Sequence, residues 1–243
     1  DQIIIDDFMW GGMENITLIH QSSRTMHTDR ARPDHTSDGL VAHEIAHQWY
    51  GDMLTTRNWA NAWLNEGFAT FLTYAWREYD HGWDAAEYGR RWMLSSVRWA
   101  DESDRRPMVQ YYYESDMDLF DSNIYAKGAL VLNMLRQILG YDAFWRTIRH
   151  YTNTYQFKNV ESQDLKRVFE DVTGQNLDWF FDQWVYTGGL PHLDIKYKYN
   201  RRNQHVKLTI RQIQDVASSS LFRLPLTVLI DNGGDIVRQD IWI

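Results

Sequence analysis

The sequence lacks cysteine altogether and has only 4 prolines among its 243 residues. Without cysteine, neither a disulfide nor a thiolate metal ligand can form, so any metal site must use histidine and carboxylate side chains. The absence of cysteine is compatible with reducing and oxidising compartments alike, and it therefore assigns no localisation.

A basic surplus and a long apolar run are also missing. Lys and Arg number 25 against 33 Asp and Glu, which gives a formal net charge of -8. Nucleic-acid binding requires a basic face, so we expect no nucleic-acid partner. No apolar run approaches the roughly 20 residues of a membrane-spanning helix. We therefore expect no membrane segment in this chain.

Apolar and aromatic residues are abundant instead. Hydrophobic residues make up 44% of the chain and aromatic residues 15%, including 12 Trp. A chain of this length and composition can bury the core of one or two domains. The first residues, 1–5, already read as a strand, and no initiator Met precedes them. We therefore expect a fragment or processed form from which further domains are missing.

Hydrophobic periodicity divides the chain into two parts. Up to residue 187 the pattern is mainly helical, and after the linker 187–191 it alternates with a period of two. The sequence predicts an α+β protein, with a mainly helical domain over 1–187 that has a sheet at its N-terminal edge, and a small β module over 188–243. About four strands are few for a stable sandwich, so we expect this module to be truncated at Ile243. The predicted strands cover residues 2–10, 16–20, 193–199, 206–213, 224–230 and 235–243. The predicted helices cover residues 40–50, 59–79, 84–100, 123–139, 142–151, 162–172 and 177–186. A loop is predicted at 21–38 and a turn at 231–234.

One stretch carries metal chemistry. His43 and His47 are four residues apart, which places them on one face of a helix, and Glu66 follows after eighteen intervening residues. Two imidazoles and a carboxylate leave a fourth tetrahedral position open, as in catalytic zinc sites. Glu44 follows the first histidine and is the expected general base for water activated by the metal. The alternative is an exposed, charged helix turn whose histidines bind nothing.

Two other stretches each allow two interpretations. A glycine pair follows the first strand in the run Gly11, Gly12, Met13, Glu14, Asn15. Glycines there let a ligand backbone approach the strand edge and pair with it, with the Glu14 carboxylate beside it; the alternative is a hairpin turn with a solvated glutamate. In the irregular segment 101–121, the tyrosines at 111–113 either line a substrate cleft or pack the loop itself.

Together, the runs Gly11–Asn15, His43–His47 with Glu66, and Tyr125–Gly128 resemble the aminopeptidase N family of zinc metallopeptidases. These gluzincins include puromycin-sensitive aminopeptidase and the leukotriene hydrolases. The resemblance extends over nearly the whole chain, including the segment 182–185. It implies a thermolysin-like catalytic domain followed by a β-sandwich. Family members also carry a β domain before the first motif, which this sequence lacks.

The resemblance also implies roles for residues. It implies one Zn²⁺ per chain, bound by His43, His47 and Glu66, with Glu44 as the general base. Glu14 resembles the carboxylate that holds the free α-ammonium of a peptide substrate, and Tyr125 resembles the phenol that donates to the oxyanion. Gly11, Gly12, Met13 and Asn15 are expected to shape the strand edge that binds the substrate backbone.

Three functions compete at this point. The first is a zinc aminopeptidase that acts on peptides with a free N-terminus. The second is a thermolysin-like endopeptidase that uses the same metal without recognising the chain end. The third is an inactive fragment or binding scaffold of the family. Inactive relatives lose a ligand or the base, whereas all of these residues are present here. The sequence therefore favours an enzyme, and the presence of Glu14 favours the aminopeptidase over the endopeptidase.

Overall fold

A computed structural model of the chain describes residues 1–31, 34–231 and 233–243. The predicted loop at 21–38 includes residues 32 and 33, and the predicted turn at 231–234 includes residue 232. These three residues lie outside the described part of the chain.

A three-stranded sheet forms the N-terminal edge. Strands β1 (Gln2–Ile5), β2 (Gly12–Met13) and β3 (Ile19–Ser22) are arranged in the order β1-β3-β2, with β1 parallel and β2 antiparallel to β3. The strand predicted at 2–10 was too long, and the strand predicted at 16–20 begins three residues later and extends to Ser22. Asp7 has a φ of 54° and Thr17 a φ of 66°, and backbone in this left-handed region cannot continue a strand.

Seven α-helices follow within the described residues, at positions close to the predicted ones. Two of the predicted helices begin with a different geometry. The second starts with a short 3₁₀ turn over Trp59–Asn61, and the fourth starts with a π-helix over Asn123–Lys127. The α-helices are α1 (Asp38–His47), α2 (Trp63–His81), α3 (Trp83–Ser103), α4 (Gly128–Leu139), α5 (Tyr141–Tyr155), α6 (Ser162–Thr173) and α7 (Asp178–Trp184).

The core lies between these helices and is rich in aromatic side chains. The Phe68 ring of α2 stacks on Tyr50 at a centroid distance of 4.2 Å and on Tyr151 of α5 at 6.0 Å. Burying such rings contributes most of the apolar area removed from water, and so it holds the helices in place. Among the described residues, the fully buried rings include those of Trp63, Phe68, Phe144, Tyr151, Phe169, Phe180 and Phe181.

A parallel strand pair was not predicted. β4 (Leu54–Thr56) pairs with β5 (Lys158–Val160), which ties the segment after α1 to the segment after α5. Three residues are too few to show alternation, so the periodicity of the sequence could not indicate these strands.

All four strands predicted after the linker are present. β6 (Leu193–Asn200) and β7 (His205–Gln212) form one antiparallel pair, and β8 (Pro225–Asp231) and β9 (Ile236–Trp242) form another. The two pairs are separate two-stranded sheets, and closure of a β-sandwich stays a prediction.

This β region is attached to α7. The Phe222 ring lies 4.8 Å from the Trp184 ring, and the Gln183 side chain exchanges two 3.0 Å hydrogen bonds with the backbone of Arg223. Within the described residues, none of the helices has both the length and the apolar character needed to cross a membrane.

Candidate active site

The predicted metal ligands converge on one point. His43 Nε2, His47 Nε2 and Glu66 Oε2 lie 3.1 Å from one another in all three pairs. α1 supplies both histidines one turn apart, and the first turn of α2 supplies the carboxylate. The structure thus brings together three residues that span 24 positions of the sequence.

This donor set fits zinc. Ligands bound at 2.0–2.1 Å in a tetrahedron are about 3.3 Å apart, close to the spacing of these three atoms. Two imidazole nitrogens and one carboxylate oxygen are also ligand types that zinc prefers. All three residues also line one cavity.

The orientation of His47 is fixed by the backbone. Its Nδ1 lies 2.9 Å from the carbonyl oxygen of Tyr50. A carbonyl can only accept, so Nδ1 carries the proton and Nε2 is left free for a cation. Burial acts to raise the pKa of Glu66, but its hydrogen bonds to the two histidines outweigh burial and lower this pKa to about 2.

Glycines bring the ligand-bearing helix close to the helix that follows Tyr125. A Cβ placed on Gly67 would lie 3.0 Å from Gly128 Cα, and one on Gly128 would lie 2.9 Å from Gly67 Cα. Gly67 therefore permits close packing of α2 on the start of α4. Gly67 contacts the backbone of the Tyr125–Gly128 run. This contact explains why the run ends in a glycine.

Tyr125 lies beside the ligands. It sits in the π-helix, and its ring stacks on His43 at a centroid distance of 6.1 Å. Burial, followed by the charge of Glu66, raises the pKa of the phenol well above its usual value. The hydroxyl consequently remains a hydrogen-bond donor.

Glu44 is buried against a glycine. Its side chain lines the same cavity, and a Cβ on Gly12 would overlap the Glu44 carboxyl group. The second glycine of the Gly-Gly pair is therefore required by its contact with α1, which the sequence interpretation did not foresee. Burial also raises the pKa of Glu44 to about 8.

Glu14 lies close to this buried carboxyl. Ligand atoms of Glu14, Glu44 and His47 are all within 4.8 Å of one another. The Glu14 carboxylate approaches the Nδ1 edge of the His47 ring, with 3.7 Å between its Oε1 and His47 Nδ1. The opposite edge of the ring, at Nε2, faces His43 and Glu66. Glu14 is thus a wall of the cavity, and the alternative of a fully solvated turn residue is wrong.

One cavity of about 460 Å³ is lined by all but one of the predicted site residues. Asn15 is the exception, because it is exposed and its carbonyl accepts from Leu18 N–H in a turn. A substrate contact for Asn15 stays a prediction. The cavity is lined by Gly11, Gly12, Met13, Glu14, His43, Glu44, His47, Glu66 and Tyr125.

The sequence analysis did not predict three of the apolar residues that line the cavity. Trp59, Met117 and Phe120 line the cavity, and the last two come from the irregular segment 101–121. The tyrosines at 111–113 do not line this cavity, and because all three are exposed they do not pack the interior of the loop either. Apolar side chains in a loop next to a polar site were the available signal.

Comparison with known proteins agrees with this geometry. The model for the Peptidase family M1 domain matches residues 1–184. Aminopeptidase M1-D of Oryza sativa subsp. japonica is 31% identical over 205 residues, which are 82% of this chain and 24% of that protein. The chain thus spans about a quarter of the length of this relative.

Solved structures show the same fold. Aminopeptidase A of Legionella pneumophila, solved with aspartic acid, superposes with a TM-score of 0.76 at 21% identity, covering 100% of this chain and 27% of that one. An M1 zinc metallopeptidase variant from Deinococcus radiodurans, bound to a Tyr-Ser-Ala substrate, has a TM-score of 0.61 at 25% identity, over 79% and 40% of the two chains. The family match covers more than half of the chain, and the chain belongs to peptidase family M1.

Proposed function

We propose that this chain contains the catalytic unit of a zinc aminopeptidase, which hydrolyses the first peptide bond of peptides with a free N-terminus. The observation that carries the proposal is the position of Glu14, whose carboxylate lies within 4.8 Å of Glu44 and His47. In a peptide, only one Cα separates the terminal amine from the first carbonyl carbon. A carboxylate that holds this amine must therefore lie close to the general base.

We propose His43, His47 and Glu66 as the ligands of one zinc ion. Their 3.1 Å spacing and their donor types support this assignment. When bound, zinc supplies Lewis-acid chemistry, polarising the carbonyl of the substrate and making water more acidic.

Glu44 is the proposed general base. In this role its carboxylate takes the proton of the attacking water and then delivers it to the leaving nitrogen. The Glu44 carboxyl group packs against Gly12 at the cavity wall, beside the two histidines of α1. The carboxyl group is thereby kept near the carbonyl that is attacked.

Tyr125 is the proposed oxyanion donor. Its hydroxyl group, kept protonated by burial, can donate to the oxygen that gains charge when the carbonyl is attacked. The stacking on His43 keeps the ring beside the ligands. Gly11, Gly12 and Met13 lie along the same wall, where strand β2 offers backbone to an extended substrate.

The proposed domain organisation follows the family. Residues 1–187 form the thermolysin-like catalytic domain, and residues 188–243 form part of a β-sandwich module. The end of the family match at residue 184 supports a boundary here, as does the change from helices to strands after the linker. Peptide binding by the whole protein is proposed to involve further domains, since the chain covers 24% of the rice relative.

A single experiment tests the function. The zinc content of the purified chain is measured, and cleavage of L-alanine 4-nitroanilide is compared with that of its N-acetylated form, with and without a chelator. We expect one zinc per chain and chelator-sensitive cleavage that strongly favours the free amine. Equal rates on the two substrates would support the endopeptidase instead, and absence of zinc would refute both enzymatic functions.

A further inference from the structure

The side chain of Gln48 bridges three parts of the site. Its Nε2 donates to the carbonyl oxygen of Glu14 and to Asp52 Oδ2, both at 2.7 Å, and its Oε1 accepts from Thr17 N–H at 3.1 Å. Two of these partners are acceptors and one is a donor, so the contacts themselves determine which end of the amide is nitrogen. The residue directly follows the ligand His47.

The segment that Gln48 holds carries Glu14. After Glu14 the chain turns, and Leu18 N–H donates to Asn15 O at 3.0 Å. Within this turn Thr17 has a φ of 66°, a region that β-branched residues rarely adopt. A strained turn of this kind persists only where neighbouring groups fix it. Gln48 does so by binding the Glu14 carbonyl just before the turn and Thr17 N–H within it.

The other end of the bridge is rigid. Asp52, which accepts the second hydrogen bond of Gln48, donates its own backbone N–H to the His47 carbonyl at 3.0 Å. Gln48 and Asp52 are thus both tied to the end of α1, where the ligand lies. The amide of Gln48 therefore joins the backbone of Glu14 directly to the part of the chain that holds the metal.

We propose that Gln48 is a positioning residue, which sets the distance between Glu14 and the metal ligands and so makes the site selective for a free N-terminal amine. This inference rests on the proposed function, in which Glu14 binds that amine. Gln48 is not among the residues that line the cavity. Its effect passes through the backbone of Glu14.

The test compares substrates rather than overall activity. In the 243-residue chain, Gln48→Met removes all three hydrogen bonds and retains an unbranched side chain of similar length. We expect kcat/KM for L-alanine 4-nitroanilide to fall about tenfold, the effect of one or two lost hydrogen bonds. The kcat/KM for the N-acetylated substrate and the zinc content should remain within about twofold of wild type. A purely structural role would lower activity on both substrates alike.

Two further variants support the comparison. Ile45→Ala changes an exposed side chain of α1 that lies outside the cavity, and it should alter neither substrate's kcat/KM. Gln48→Glu retains an acceptor for Thr17 N–H but cannot donate to the Glu14 carbonyl, so the free-amine preference should fall here too. If Gln48→Met does not fold, as judged by circular dichroism, Gln48→Glu gives the answer alone.

The outcomes separate the two proposals. If wild type lacks preference for the free amine, the proposed function fails. If wild type has the preference and both Gln48 variants retain it, only the positioning role of Gln48 is refuted. An equal loss of activity on both substrates, or loss of zinc, also refutes that role.

Discussion

Phe68 in α2 and Tyr197 in β6 both lie on the apolar side of their element's pattern, yet Phe68 is 0% exposed and Tyr197 is 79% exposed. In the helical region the apolar faces of several helices pack on one another. In the β region the pairing places Ile195 opposite Ile210 and Tyr197 opposite Leu208, which builds an apolar sheet face that stays exposed in the described chain. Alternation with a period of two thus predicts the strands and the side chains that share a sheet face. Burial of that face requires a second layer of secondary structure packed on it.

The largest expected effect tests this contrast directly. Phe68→Ala should lower the free energy of unfolding by about 3–5 kcal/mol, because it opens a cavity among stacked rings. Tyr197→Ala should change it by less than about 0.5 kcal/mol, as for other exposed positions. Urea unfolding of both variants measures the difference, and similar losses would show that the two regions are equally packed.

Buried and exposed lysines give a second comparison. Burial, with a further contribution from Arg106, lowers the pKa of Lys127 to about 8. The unfolded chain therefore binds more protons than the folded one above pH 8, and stability should rise with pH between about 8 and 10, by up to about 3 kcal/mol. The cost of burying the charge is fully present below pH 8.

Lys127→Met should remove this rise, whereas Lys198→Met in the exposed strand β6 should preserve it. Unfolding free energies at several pH values check the prediction. A rise of equal size in wild type and Lys127→Met would assign it to other groups. The predicted rise in stability ends at about pH 10. Burial raises the pKa of Tyr50 and Tyr186 to about 12. Above pH 10 these phenols therefore ionise more readily in the unfolded chain, which lowers the stability of the fold.

At the site itself, Glu44→Gln should retain zinc and lower kcat at least ~10²-fold, since the amide cannot accept the proton of water. Stability should be unchanged or slightly higher, because a buried carboxyl is replaced by a neutral group. Metal analysis and steady-state kinetics measure the two effects. Full activity in Glu44→Gln would refute the assignment of the base.

The smallest expected effect concerns the glycine beside the base. Gly12→Ala should displace the Glu44 carboxyl and lower kcat about tenfold, at little cost in stability, as for a moderate misplacement of a catalytic group. Gly39→Ala is the matched control, since its Cβ would meet only ordinary contacts of 3.6 Å or more. Equal activities of the two variants would show that Glu44 adjusts freely.

Local spacing was enough to bring His43 and His47 together, because the i, i+4 rule places them on one helix face whatever surrounds them. Tyr125 and the amine-binding role of Glu14 came only from the family resemblance, since no periodicity relates these residues to α1. Gln48 was missed entirely. Its partners lie 31 and 34 residues away, and an amide next to a ligand histidine is common without any such role.

The helices were predicted within a few residues, because their apolar stripes are long enough to show the period. The short pair β4–β5 and the interruption of the first strand at Asp7 were not predicted, since single residues with unusual φ leave little trace in a sequence. Which side chains would line the cavity depended on the path of the loop at 101–121, which lacks periodicity.

The contact between Gly67 and Gly128 has a consequence for how this site could change. Both positions already carry the smallest residue, so a larger side chain at one cannot be offset by a smaller one at the other. The packing of α2 on the start of α4 therefore fixes the distance between the Glu66 carboxylate and the Tyr125 phenol. Any redesign that moves Glu66 relative to Tyr125 must rebuild both helices.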